Sequence, residues 1–267
     1  FGISWNFNGT TNYENTLCVT KPNDYKDASS DYCACNPSMI YLDIVFVVDT
    51  SDSMKSNSIG DITATIQSTL YPLTFGTELF QSNVAIIAYA ESVQTVVDFG
   101  GLRSTNDINR ISLPLLGGNP SKLEEAIKQA SSMLSSVSRN YTREVIVLIA
   151  NDFEFDLLSD NYESVIATAD TFKNSNGIII TLDYNEETGM QGLLDISTPG
   201  FYMNDLSENN NLDADVLYAL CDANCFCKDG LTPFNTENER YRDTPRVAIT
   251  SLLSHQCTML QTIIAGA

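Results

Sequence analysis

Asp49, Ser51 and Ser53 alternate in the stretch DTSDS, directly after the apolar run YLDIVFVV that opens at Tyr41. A carboxylate and two hydroxyls at alternate positions of a turn can bring three oxygens to one point. Hard oxygen donors of this kind suit a divalent cation such as Mg²⁺, with water completing its shell. The same residues have a plainer use, because Asp and Ser cap helices and satisfy turn amides, and a helical pattern follows. Other candidate chemistry is thin. From Asp152, the acids Glu154, Asp156 and Glu163 imitate the spacing of a calcium-binding EF-hand, but Leu157 stands where that loop needs Gly. GGNPSK lacks the spacing of a phosphate-binding loop. The only histidine, His255, is far in sequence from the serines, so a packing or surface role is expected for it, and no feature demands an enzyme.

The elements that must position these oxygens are legible in the hydrophobic pattern. YLDIVFVV is a continuous β-branched run, as expected of a central strand covered on both faces. Ile59, Ile62, Ile66, Leu70 and Leu73 then recur at helical spacing, NVAIIAYA reads as a buried strand, and SVQTVVDF follows across the short connection Ala90-Glu91-Ser92, which suits a hairpin. Leu123, Ala126, Ile127, Ala130, Met133, Leu134 and Val137 form one apolar helix face. EVIVLIA is a strand; Leu158, Tyr162, Val165, Ile166, Ala169 and Phe172 predict a helix; GIIITLDY is again a strand. A short helix from Met190 to Ile196, a weak strand at GFYM and a helix from Leu212 to Leu220 complete the series. Such alternation predicts an α/β fold: a doubly wound, mostly parallel six-stranded sheet with one antiparallel edge strand, helices on both faces and cysteine-rich flanking segments. Ligands of such sheets sit at the carboxyl ends of the strands, which is where DTSDS falls.

Asp-x-Ser-x-Ser after the first strand of a doubly wound sheet resembles the metal-ion-dependent adhesion site of von Willebrand factor type A domains. The resemblance covers about Tyr41 to Leu220 and implies two further ligands. LGGNPSKLEEAI approximates the family's Gly-Gly-x-Thr loop and places Ser121 at the Thr position. IANDFEF stands where the family has Thr-Asp-Gly and places Asp152 at the aspartate, with Phe153 in place of Gly. The resemblance further implies serines that bind directly and aspartates that act mainly through water. A cation held this way stays under-neutralised, and its open position favours a carboxylate from a partner. Mg²⁺ is the expected ion, with Ca²⁺ and Mn²⁺ as alternatives.

At 267 residues, 43% hydrophobic and 18% charged, the chain is long and apolar enough for a full core. Its formal charge of -20 opposes nucleic acid and anionic lipid surfaces, and no apolar run approaches the length of a bilayer span, so neither is an expected partner. Seven cysteines lie near the ends, Cys18, Cys33 and Cys35 before the α/β region and Cys221, Cys225, Cys227 and Cys257 after it. Disulfides that staple the ends are expected over a zinc cluster, with Cys33 or Cys35 joined to a cysteine of the 221–227 group, because domain termini often lie close together. The odd count leaves one cysteine as a free thiol or paired outside this sequence. The tripeptides beginning at Asn8 and Asn140 are glycosylation acceptors and agree with secretion, and Phe1 is expected to be a mature or trimmed terminus.

Three regions follow: an irregular segment over 1–40, the type A-like domain over 41–220, and a cysteine-rich tail over 221–267. NCFCKDGLTPFN, followed by a helical pattern from Val247 to Ile264 that contains Cys257, resembles the opening of a C-type lectin-like domain, as joined to type A domains in many secreted invertebrate proteins. A linker helix for assembly is the alternative. The functional expectation is a secreted adhesion protein that engages a carboxylate on an extracellular protein or matrix ligand. The alternative is a self-assembling component of an extracellular matrix or filament, in which the metal is structural or absent.

Overall fold

The computed structural model describes residues 6–7, 11–12, 36–54, 56–78, 80–139, 142–150, 160–184, 191–204, 211–225, 231–233 and 257–259. In chain order the principal elements are β1 (Leu42–Asp49), α1 (Ser56–Leu70), β2 (Asn83–Tyr89), β3 (Val93–Val97), α2 (Thr105–Ile108) and α3 (Leu123–Val137). They continue with β4 (Arg143–Ala150), α4 (Asp160–Asn174), β5 (Ile178–Asp183), α5 (Gln191–Ile196), β6 (Tyr202–Asn204) and α6 (Leu212–Cys225).

The strands form one six-stranded sheet in the order β3-β2-β1-β4-β5-β6, parallel throughout except for the β2–β3 hairpin at one edge. This is the doubly wound sheet that the alternation of strand and helix predicts. The hairpin closes where expected, with Ala90 N–H donating to the Ser92 carbonyl at 2.9 Å.

All eight residues of β1 are buried, which is why its sequence is continuous rather than alternating. Leu42, Ile44, Phe46 and Val48 pack with Ile59, Ile62, Ile66 and Leu70 of α1 and with Val216, Ala219 and Leu220 of α6. On the opposite face Val45 and Val47 pack with Leu123, Ala126, Ile127, Ala130 and Leu134 of α3 and with Val165, Ala169 and Phe172 of α4. A strand locked between two helical layers has its end fixed, and Asp49 is that end.

The chain winds from β1 to β2 on one side and to β4 on the other, so the strand order switches at the carboxyl end of β1. That crevice is the ligand position in open α/β sheets.

Three expectations outside the sheet are corrected. Within the stretch Val247 to Ile264 the described residues Cys257–Met259 form a strand, paired antiparallel with Leu231–Pro233, rather than a helix. Thr258 opposite Thr232 is a β-branched pair that suits a ladder, and it outweighs the helical spacing of the apolar residues around it. In the segment expected to be irregular, Asn6–Phe7 pairs antiparallel with Thr11–Asn12. The last helix also runs past Leu220 to Cys225, because Cys221 and Ala223 face the core and the Asn224 side chain accepts the Tyr41 N–H at 2.9 Å. Among the described residues no helix is long and apolar enough to cross a membrane.

Candidate functional site

Asp49 is the last residue of β1, and Thr50 N–H extends the ladder by donating to the Tyr89 carbonyl at 2.9 Å. Asp49, Thr50 and Ser51 are all fully buried. The Ser51 N–H donates to Asp49 Oδ1 at 2.9 Å, which fixes the carboxylate over its own turn. Two residues on, the Ser51 and Ser53 hydroxyls lie 2.8 Å apart. Met54 N–H then donates to the Ser51 carbonyl, and the buried Met54 side chain anchors the turn in the core below. The alternation seen in the sequence thus becomes a preformed cluster of hydroxyl and carboxylate oxygens.

A second loop is tied onto the first. Leu116 and Gly117 N–H groups both donate to the Thr50 carbonyl, at 3.0 and 3.1 Å, and Asp52 N–H donates to the Gly118 carbonyl at 2.9 Å. Lys122 N–H reaches the Ala90 carbonyl at 3.1 Å. These bonds bring the segment that carries Ser121 against the Asp49 turn; Ser121 itself is exposed, just before α3. Gly117 and Gly118 both have φ of 72°, a left-handed backbone that favours glycine. A Cβ on Gly118 would also stand 2.5 Å from the Glu91 carboxyl carbon, and one on Gly117 would stand 3.1 Å from Asp52 Oδ1. Asp52 and Glu91, both exposed, therefore place two carboxylates along this rim, which the sequence reading did not foresee.

The third loop leaves β4 beside β1, where Ile149 pairs with Val48. Asp152 and Phe153 within it lie outside the described residues, as do Cys18, Cys33, Cys35, Cys227, Asn8, Asn140 and His255 and the side chains of Cys225 and Cys257. Cys221 is buried and disulfide-bonded.

Beneath the cluster, Tyr89 closes β2 directly opposite Asp49 in the ladder. Its side chain is fully buried, and its hydroxyl has no hydrogen-bond partner among the described residues. Burial first, and the Asp49 charge second, push its ionisation well above the usual tyrosine range, so it stays protonated. Sequence reasoning missed Tyr89 because it lies inside an apolar strand pattern; the only signal was a polar tip on the last residue of a buried strand.

No three His, Cys, Asp or Glu side chains among the described residues gather as a metal-holding group. Two cis ligands of an octahedral Mg²⁺ site stand about 2.9 Å apart, given metal–oxygen bonds of about 2.0–2.1 Å. The Ser51–Ser53 separation of 2.8 Å fits one such edge.

Residues 43–215 match the von Willebrand factor type A domain. The chain is 25% identical over 230 residues to C-type lectin domain-containing protein 160 of Caenorhabditis elegans, covering 82% of this chain and 34% of that protein. Its fold resembles proximal thread matrix protein 1 from the mussel byssus, solved with a zinc-occupied MIDAS motif, with a TM-score of 0.54 and 13% identity over 70% of this chain and 47% of that one. It also resembles the pilus adhesin SpaC of Lactobacillus rhamnosus GG in its open conformation, with a TM-score of 0.51 and 14% identity over 73% of this chain and 31% of the adhesin. The chain thus spans about a third of the nematode protein and about half of the mussel chain. With the match running from β1 into α6 over the sheet just described, the chain belongs to the von Willebrand factor type A family.

Proposed function

We propose that this domain is an extracellular ligand-binding module in which a divalent cation at the switch point engages a carboxylate of a protein or matrix partner. The observation that carries this reading is the turn itself: Asp49 oriented by the Ser51 amide, with the Ser51 and Ser53 hydroxyls 2.8 Å apart at the carboxyl end of the central strand. Ser51 and Ser53 would hold the ion directly, and Asp49, Ser121 and Asp152 would complete the set. When bound, the cation supplies an electrophilic open position, because this ligand set neutralises little of its charge. The chain's own residues fix and shield that position. Met54 anchors the turn, loop two braces it from above, and the two helical layers hold the strand end still.

Mg²⁺ fits the short serine–serine edge, and Mn²⁺ or Zn²⁺ would fit nearly as well; the mussel structure with zinc at its motif supports that range. The Cys221 disulfide supports an oxidising compartment and hence secretion. The name of the nematode relative supports a lectin-like module in the tail, and the function is read as binding rather than catalysis. The test is capture of an acidic matrix ligand by the full chain. Chelation and Asp49→Ala should each abolish capture while the unfolding profile in chelator stays cooperative; capture that survives both would remove the reading.

A second reading has its own support, since the mussel protein is a thread matrix protein. Here the chain assembles with copies of itself in a matrix, through head-to-tail contacts. Concentration-dependent assembly that persists in chelator and in Asp49→Ala would favour it over the first.

A further inference from the structure

Tyr89 carries a hydroxyl that the fold does not use. Its ring packs in the layer of Val45, Val47, Leu123 and Ala126, fully buried, and phenylalanine would fill that space equally well. Buried hydroxyls without a partner lose their hydration for nothing in return, so native proteins rarely keep one unless something else completes it. The hydroxyl oxygen is unpartnered among the described residues.

Its position indicates what completes it. Tyr89 and Asp49 are register partners at the ends of adjacent strands, and in a parallel pair such partners project from the same face of the sheet. Asp49 shares that face with Val45 and Val47, and so does Tyr89. The Tyr89 and Asp49 side chains are therefore neighbours on one face of the sheet, at the carboxyl ends of their strands.

We propose that Tyr89 belongs to the cation site: its phenol oxygen accepts a hydrogen bond from a water held on the ion, and so positions that water between Asp49 and the protein core. This rests on the cation reading above and adds a residue to it. The chemistry is consistent, since a cation-bound water is a strong donor and needs acceptors, whereas the ion's serine ligands are spent on coordination. A hydrophilic tip at this depth would also favour ions that keep inner-sphere water, as Mg²⁺ does.

The test compares full-length wild type, Tyr89→Phe and Asp49→Ala by calorimetric titration with Mg²⁺ and with Mn²⁺, and by thermal unfolding in chelator and in saturating Mg²⁺. Partners of this indirect kind are worth about 10–100-fold in metal affinity. Tyr89→Phe should therefore bind Mg²⁺ at least about tenfold more weakly. In chelator it should melt at or above the wild-type temperature, because an orphan hydroxyl has been removed, and this advantage should vanish or reverse in Mg²⁺. A tyrosine difference signal in the near ultraviolet on Mg²⁺ addition should be lost in the variant. Equal affinity in Tyr89→Phe and wild type would overturn the assignment while leaving the cation site in place, and so would a lower melting temperature in chelator. Wild type that takes up neither ion would overturn the cation reading, and this one with it.

Discussion

Two aspartates sit on β1, Asp43 near its amino end and Asp49 at its carboxyl end, both fully buried and on one face of the strand. Their surroundings assign them different work. Asp43 is held by the Arg139 guanidinium at 2.8 and 2.9 Å and by the Thr142 hydroxyl at 3.0 Å. Arg139 also donates to the Leu42 and Gln81 carbonyls and stacks over the Tyr41 ring at 4.6 Å, so one fork ties four points at the base of the sheet. Truncating one partner of a buried pair leaves the other charge uncompensated, at a cost of about 3–5 kcal/mol. Arg139→Ala should therefore lower stability by about that amount in denaturant unfolding. Arg139→Lys should recover only a fraction, because an ammonium cannot address the same acceptors in one plane. Cation affinity measured on the folded variant should be unchanged, since Arg139 binds Asp43 at the amino end of β1 and Asp49 closes its carboxyl end. None of this pairing was legible in the sequence. A charge inside a continuous apolar run signals that a partner must exist, but Arg139 is 96 residues away and only the fold names it.

At the scale of elements, the second loop is the part of the site most sensitive to backbone chemistry. Gly118 sits at φ of 72°, and the Glu91 carboxyl occupies the place where its Cβ would go. A left-handed conformation costs a non-glycine residue about 1–2 kcal/mol. Gly118→Ala should lower stability by about that amount and loosen the Asp52–Gly118 bond that closes the site. Cation affinity should fall while helix content by circular dichroism stays constant, and Glu91→Ala in the same chain should recover the part due to crowding. Unchanged affinity in Gly118→Ala would mean that loop two does not brace the site. The strands and helices themselves were readable because each obeys one period. β1 is apolar on both faces and α3 on a single stripe, and these patterns survive in the packing. The loops were readable only by resemblance, and their rim was not, because the placement of Asp52 and Glu91 depends on how two connections dock. Tyr89 escaped for a related reason: strand register decides that it faces Asp49, and register is a property of two strands together. In the tail, apolar spacing suggested a helix where Cys257–Met259 pairs as a strand, since short segments take their conformation from a partner.

For the whole molecule, the formal charge of -20 sets the background against which any carboxylate-bearing partner must approach. Among the described residues, the ion pairs Lys122–Glu125, Lys128–Glu124 and Lys173–Asp170 each lie within one helix or at its start, and short-range pairs of this kind neutralise the field only locally. A field of this sign attracts cations and repels anions at long range, so in the proposed function a bridging ion would offset the repulsion of an acidic ligand. In the proposed function this ion sits on the serine turn at the end of β1. Crystals of the full chain grown with Mn²⁺, with diffraction measured where manganese scatters anomalously, test it most directly. An anomalous peak is expected within bonding distance of both the Ser51 and Ser53 hydroxyls, absent from Asp49→Ala crystals. Manganese found only on acidic residues elsewhere on the surface, or nowhere, would contradict it.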